Sequence, residues 1–249
     1  MIRSLVFDKD GVILDMAGTW LPVARQVADY TVSRQPDGDN RLTRAELLAA
    51  VGVDDATGVI DPRGMFAAEP FARVRTTWQA MLPPGIIDLN QDQDYRNEVR
   101  RMAQEMAHGG VVAKGDVETP LRQLAAAGFR IAMLTNDSAE SARRNMVELG
   151  IADLFAPIIG VDSGYGAKPD PDGLLHILDQ HGSTPEQALM IGDTGADYGA
   201  AVNAAVAGFI CISDDPNHRP HEEVPVENVI PQLAELPQLL IGRGVMAAV

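Results

Sequence analysis

The chain has 249 residues, 46% of them hydrophobic, so it is long enough to bury a sizeable core, and it carries no charge run or low-complexity tract of the kind that keeps a chain disordered. A formal net charge of −15 argues against a nucleic-acid partner, which demands a basic face. No apolar run approaches the roughly 20 residues that span a bilayer, which excludes a membrane-spanning helix.

The first element is a strand-like run that begins almost at the N-terminus and ends at Phe7, within Leu5–Asp15 (LVFDKDGVILD). A cleaved leader would remove this run, so none is read. Cys211 is the only cysteine and sits in the apolar stretch GFICIS. It is predicted to be a buried, inert thiol, and no internal disulfide is possible. Together these features predict a cytoplasmic protein.

Residues 16 to about 113 carry helical patterns near Val23–Ser33, Thr43–Val51, Pro70–Met81 and Asp94–Ala107, separated by turn-rich stretches and without clear buried strands. From Lys114 onward strand and helix signals alternate. A helix over Pro120–Ala127 is stopped by Gly128, and a strand follows at Phe129–Leu134. Ser138–Leu149 is helical, capped by Asp137 or Ser138 and ended by Gly150. Next come a strand at Pro157–Val161, a helix at Pro171–His181, a strand at Ala188–Ile191, a helix at Ala196–Ala207 and a strand at Phe209–Ile212. This alternation predicts a doubly wound, parallel α/β sheet. The expected domains are an α/β core of residues 1–15 and 114–249, and a mostly helical domain of residues 16–113 inserted after the first strand.

Four stretches carry chemistry. Asp8 and Asp10 follow the first strand, where open α/β sheets bind ligands, and a turn at Gly11 can bring both carboxylates to one pocket. Such a pair invites a hard divalent cation with oxygen ligands, Mg2+ above all. Taken alone, Asp-x-Asp-Gly also fits a solvated acidic turn. Thr135-Asn136-Asp137 ends the second strand and offers a hydroxyl and an amide beside a helix N-terminus, a phosphate grip or an ordinary cap. Lys168, in GAKPDP, is held between a glycine loop and a proline pair, as an ammonium aimed at a phosphate would be. Asp193 and Asp197, in GDTGAD, follow a strand; a helix cap explains Asp197 but not Asp193.

The order FDKDGVILD, LTN, GAKPDP, GDTGAD resembles the four signatures of the haloacid dehalogenase-like hydrolase superfamily, and the helical insertion resembles that superfamily's cap. The resemblance implies a phosphatase with Asp8 as nucleophile forming an aspartyl-phosphate, and Asp10 as acid toward the leaving group and then base toward water. It implies Mg2+ held by the Asp8 side chain, the Asp10 backbone carbonyl and Asp193, with Asp197 orienting Lys168 or a metal-bound water. Thr135, the Asn136 backbone and Lys168 would bind the phosphoryl oxygens. Dehalogenation needs neither a proton donor nor a metal, so Asp10 and Asp193 speak against it. A phosphomutase would use the same aspartates and is the alternative; a non-catalytic binding protein would have little use for them.

The expected substrate is a small phosphorylated metabolite, of the phosphoglycolate or sugar-phosphate type. The cap is expected to close over the site, with Met16–Trp20 in the hinge region. Arg73 and Arg75 lie two apart on a helix with Trp78, so at most one points into the site. Both also fit a solvated face, with Trp78 in the cap core. His218 and His221 read as surface-loop residues, and His108, His176 and His181, near helix ends, as ordinary surface or dipole-favoured positions.

Overall fold

Ser4–Phe7 (β1) is the central strand of a six-stranded, wholly parallel sheet. The computed structural model describes residues 1–36, 38, 41–61, 63–106, 110–215 and 219–247. The remaining strands are β2 (Arg130–Leu134), β3 (Ile158–Ile159), β4 (Ala188–Gly192), β5 (Gly208–Ile212) and β6 (Val229–Ile230), in the order β3-β2-β1-β4-β5-β6. Strands wind outward from β1 through β2 to β3, then restart at β4 on its other side. The β1/β4 seam is therefore the switch point at which strand carboxyl ends open a crevice. β1 and β4 are buried along their whole length, which explains why both read as unbroken apolar runs.

The chain divides into two units, Met1–Asp15 with Val112–Val249, and Met16–Val111. The first holds the sheet with α6 (Glu118–Ala126), α7 (Ala139–Glu148), α8 (Asp172–His181), α9 (Gly195–Asn203) and α10 (Leu236–Gly242). Its core includes Val6, Leu134, Leu174, Ile177, Met190, Phe209 and Cys211. Burial pushes the Cys211 thiol up to about 12, aided by the nearby charges of Asp193 and Asp197, so it stays protonated and unreactive at neutral pH. Where the backbone leaves this unit and returns, Asp15 N–H donates to Val112 O and Lys114 N–H to Ile13 O (2.8 and 2.9 Å).

The second unit holds α1 (Met16–Ser33), α2 (Arg44–Ala49), α3 (Met65–Ala68), α4 (Phe71–Met81) and α5 (Gln93–Met106). Its core gathers around Trp78, Tyr95, Leu47, Leu48 and Leu89. The polar ends of the two large aromatics are satisfied: Trp78 Nε1 donates to Leu47 O at 2.7 Å, and Tyr95 Oη lies 2.7 Å from Thr31 Oγ1. Among the described residues no helix is long and apolar enough to cross a membrane.

Several elements differ from their sequence patterns. α1 begins at Met16 and runs through Pro22, so Met16–Trp20 are its first turns. The helix expected over Ala196–Ala207 ends at Asn203, because Ala205 turns to a φ of 54° and Ala207 N–H is drawn to Ala188 O to start β5. The strand expected over Pro157–Val161 keeps only Ile158–Ile159, since a 3-10 turn begins at Val161.

His181 is not a surface residue. It is buried at the end of α8, its Nε2 donating to Ala156 O at 2.6 Å and its Nδ1 3.0 Å from Ser4 Oγ. Burial lowers its pKa, against the Ala156 hydrogen bond and with help from Arg130. His176 stacks on Tyr165 and His221 on Tyr198. His108 and His218 lie outside the described residues.

Candidate active site

Asp8 directly extends β1, and its N–H donates to Ile191 O at 2.8 Å, which fixes the residue against β4. Its side chain is buried. After it the chain folds back sharply: Ile13 and Leu14 N–H both donate to Lys9 O at 2.9 Å, and Gly11 N–H to Leu14 O at 2.9 Å. Gly11 has a φ of +79°, and a Cβ there would lie 2.0 Å from Asp193 Oδ2. Only glycine lets this turn approach the tip of β4 so closely.

Asp193 follows β4, and Thr194 caps α9. Asp197 Oδ2 accepts from the N–H groups of Thr194 (2.9 Å) and Asp193 (3.2 Å) and from Thr194 Oγ1 (2.6 Å). Its other oxygen, Oδ1, accepts from Lys168 Nζ at 2.5 Å. Gly192 is required here too, because a Cβ would lie 2.3 Å from Asp197 Cβ. Lys168 Nζ also donates to Asp8 Oδ1 at 2.5 Å, so one ammonium bridges the two carboxylates inside the protein.

The Lys168 loop is anchored from two sides. Lys168 N–H donates to Asn136 Oδ1 (2.8 Å), Asn136 Nδ2 returns a bond to Lys168 O (3.2 Å), and Asn203 Nδ2 donates to Pro169 O (2.9 Å). The Asn136 side chain thus holds the lysine loop, leaving its backbone as the group available to a ligand. Thr135 is buried, with Oγ1 accepting from Asp137 N–H at 3.1 Å, and its hydroxyl hydrogen remains free to donate elsewhere.

Charge is unbalanced at this tip. Asp8, Asp193 and Asp197 have oxygens within 4.8 Å of one another. Burial, Asp197 and Asp10 raise the Asp8 pKa to about 7 against the pull of Lys168. Burial, then Asp197 and Asp8, hold Asp193 well above the usual carboxylate range, although Lys114 and Lys168 oppose them. Lys168 is the mirror case: burial disfavours its charge, but Asp197 and Asp8 outweigh it and raise its pKa.

These carboxylates fit a hard cation on one particular observation. Asp193 Oδ1 is buried and no protein donor meets it, whereas both Asp197 oxygens are already engaged. Asp8 and Asp193 are therefore the side chains able to hold a metal, and Asp197 is committed to Lys168 and the α9 cap.

Lys9 was not singled out by its sequence position. It is fully buried, yet its Nζ pairs with Asp137, lies 3.3 Å from Asp10 Oδ2 and donates to Asn145 Oδ1 at 3.3 Å. Burial opposes its charge, but Asp10 and Asp137 raise its pKa; in turn Lys9 overcomes burial to hold Asp137 below the usual carboxylate range. The third lysine, Lys114, pairs with Asp214 at 3.6 Å and acts on Asp193.

The profile of the haloacid dehalogenase-like hydrolases matches residues 2–205. The chain belongs to that family. A phosphoglycolate phosphatase of Nitrosococcus oceani is 37% identical over 125 residues, a match covering 50% of this chain and 55% of that protein. One from Salmonella typhi is 28% identical over 206 residues, covering 80% and 77%. The chain thus spans about half the length of the first of these relatives. Among solved structures, a haloacid dehalogenase family hydrolase from Deinococcus radiodurans, with bound phosphate and sodium, superposes with a TM-score of 0.63 at 20% identity, covering 100% of this chain and 99% of that one. At that identity the likeness establishes the shared fold of this hydrolase family.

Proposed function

We propose that the chain is a Mg2+-dependent phosphatase that hydrolyses a small phosphomonoester, of the phosphoglycolate or sugar-phosphate type, through an aspartyl-phosphate on Asp8. The observation that carries this reading is the unsatisfied, buried Asp193 Oδ1 beside Asp8, with the Lys168 ammonium on the opposite flank. The phosphoglycolate phosphatases among the relatives support the substrate type.

In this reading Asp8, Asp193 and the Asp10 carbonyl would hold Mg2+, which would supply neutralisation of charge at the phosphoryl group. Lys168 favours the ionised form of Asp8 against burial and offers its ammonium to a phosphoryl oxygen, with Thr135 Oγ1 and the Asn136 N–H as further donors. An Asp8 carboxylate oxygen attacks phosphorus, the ester P–O bond breaks, and the Asp10 carboxyl gives its proton to the leaving alkoxide. Asp10 then removes a proton from the water that attacks phosphorus, which releases phosphate and regenerates Asp8. Lys9 holds Asp10 in place for both transfers, itself fixed by Asp137 and Asn145. Every group assigned to the reaction belongs to the α/β unit.

The test is phosphate release from a panel of small phosphomonoesters with Mg2+, beside EDTA and Asp8→Asn controls. Metal-dependent release that disappears in Asp8→Asn supports the proposal. Release that survives both controls would mean the site is wrongly assigned. An absence of release with phosphate migration within a sugar phosphate would replace the phosphatase with a mutase.

A further inference from the structure

Among the described residues, three arginines of the helical unit pair with no carboxylate. Several of its arginines are paired with carboxylates: Arg25 and Arg44 share Asp55 at 2.8 Å, and Arg101 sits between Glu98 and Glu105 at 2.5 Å. Arg75, Arg96 and Arg100 differ. Among the described residues none of the three has a carboxylate within 4.0 Å, and the one side-chain bond they make is Arg100 to Asn97 at 3.2 Å.

Val74 and Trp78 turn the buried face of α4 inward, and Tyr95 and Val99 that of α5. Arg75, Arg96 and Arg100 each follow one of these core residues, and Arg96 and Arg100 lie one turn apart on the same face. Arg75 Nε is buried with no acceptor, while its terminal nitrogens keep access to solvent. Burial and then the charges of Arg96 and Arg100 lower the Arg75 pKa, so the three guanidinium groups act on one another. Arg73, by contrast, is exposed and lies 3.9 Å from Glu69. A half-buried guanidinium beside two others, in a chain with 35 acidic residues available to neutralise it, is an arrangement that an anion would stabilise.

We propose that Arg75, Arg96 and Arg100 form an oxyanion-binding site on the helical unit, taking the carboxylate or phosphate group of a small acid. The planar guanidinium fork matches either group in bidentate fashion. Two sources share this chemistry: a second acidic group on an ester substrate, which rests on the phosphatase reading, and a free acid acting as an effector, which does not.

The test is calorimetric titration of malonate and of sulfate into the full chain without divalent metal, for wild type, Arg75→Gln and the Arg96→Gln/Arg100→Gln pair. Circular dichroism establishes that each variant is folded; the double variant changes the more exposed positions and keeps the test valid if Arg75→Gln does not fold. The expected result is binding by wild type that weakens roughly tenfold or more in both variants and weakens with added salt. No binding by wild type, or equal affinities in wild type and folded variants, would overturn the proposal. The source is read from kinetics. If Arg75→Gln raises KM for a carboxylate-bearing phosphate ester but not for p-nitrophenyl phosphate, the anion belongs to the substrate. If malonate affinity falls while both KM values hold, the site takes a separate effector.

Discussion

Gly11→Ala isolates the geometric requirement on which the site depends. The added methyl would begin 2.0 Å from Asp193 Oδ2 and 2.5 Å from its Cγ, against an ordinary contact of about 3.4 Å. The carboxylate, or the turn carrying Asp10, must move by on the order of 1 Å. The positive φ of +79° adds strain of about 1–2 kcal/mol for any residue with a Cβ. Stability should therefore fall by a few degrees of melting temperature. The displacement has the larger consequence, because a misplacement of that size costs about 100-fold in rate, and disturbing the hold on a metal weakens affinity by about 10- to 100-fold. The assays are calorimetric titration of Mg2+ and kcat/KM on the best ester of the panel. A folded Gly11→Ala protein with metal affinity and turnover within about twofold of wild type would refute the close-approach reasoning.

Three further outcomes follow from the buried charges. Lys168→Met leaves Asp8 and Asp197 buried without their shared cation, so metal-free stability should fall by about 3–5 kcal/mol, with part of the loss restored by Mg2+; an unchanged melting temperature would count against the bridge. Lys9→Met should lower kcat far more than it raises KM, because Lys9 orients Asp10 without touching substrate; a pure KM effect would exclude the positioning role. His181 has a pKa below its ordinary value of 6.5, so its contribution to stability is intact above about pH 6.5 and is lost as pH falls toward the folded-state pKa, where the unfolded chain binds the proton first. His181→Gln should flatten the stability profile on that acid limb, and an unaltered profile would show that another group controls it.

The α/β unit was largely legible because its constraints are local. Strands buried on both faces read as apolar runs, and a polar residue directly after such a run sits at a carboxyl edge, as Asp8, Thr135 and Asp193 do. Gly128 and Gly150 ended their helices where expected, both with positive φ. What escaped depends on contacts distant in sequence. β6 is two residues long and exists only through pairing with β5, so it leaves no periodic trace, and neither it nor α10 was expected. The alanine-rich stretch after Asn203 favours a helix on propensity, but entry into β5 overrides it. Pro22 and Gly18 hid the true start of α1. Lys9 looked like an unremarkable residue between two aspartates; its partners Asp137 and Asn145 lie more than 120 residues away. A lysine set between two carboxylates directly after a buried strand was the available signal. His181 was misread for the same reason, since Ser4 and Ala156 that enclose it are remote in the chain.

The most direct test of the mechanism is acid-quenched mass spectrometry of the protein during turnover with Mg2+ and the best ester of the panel. A phosphoryl group on the peptide that contains Asp8, discharged by hydroxylamine as an acyl phosphate would be and absent from Asp8→Asn, is the predicted result. Turnover without any phosphorylated Asp8 peptide, or phosphorylation that persists in Asp8→Asn, would contradict it.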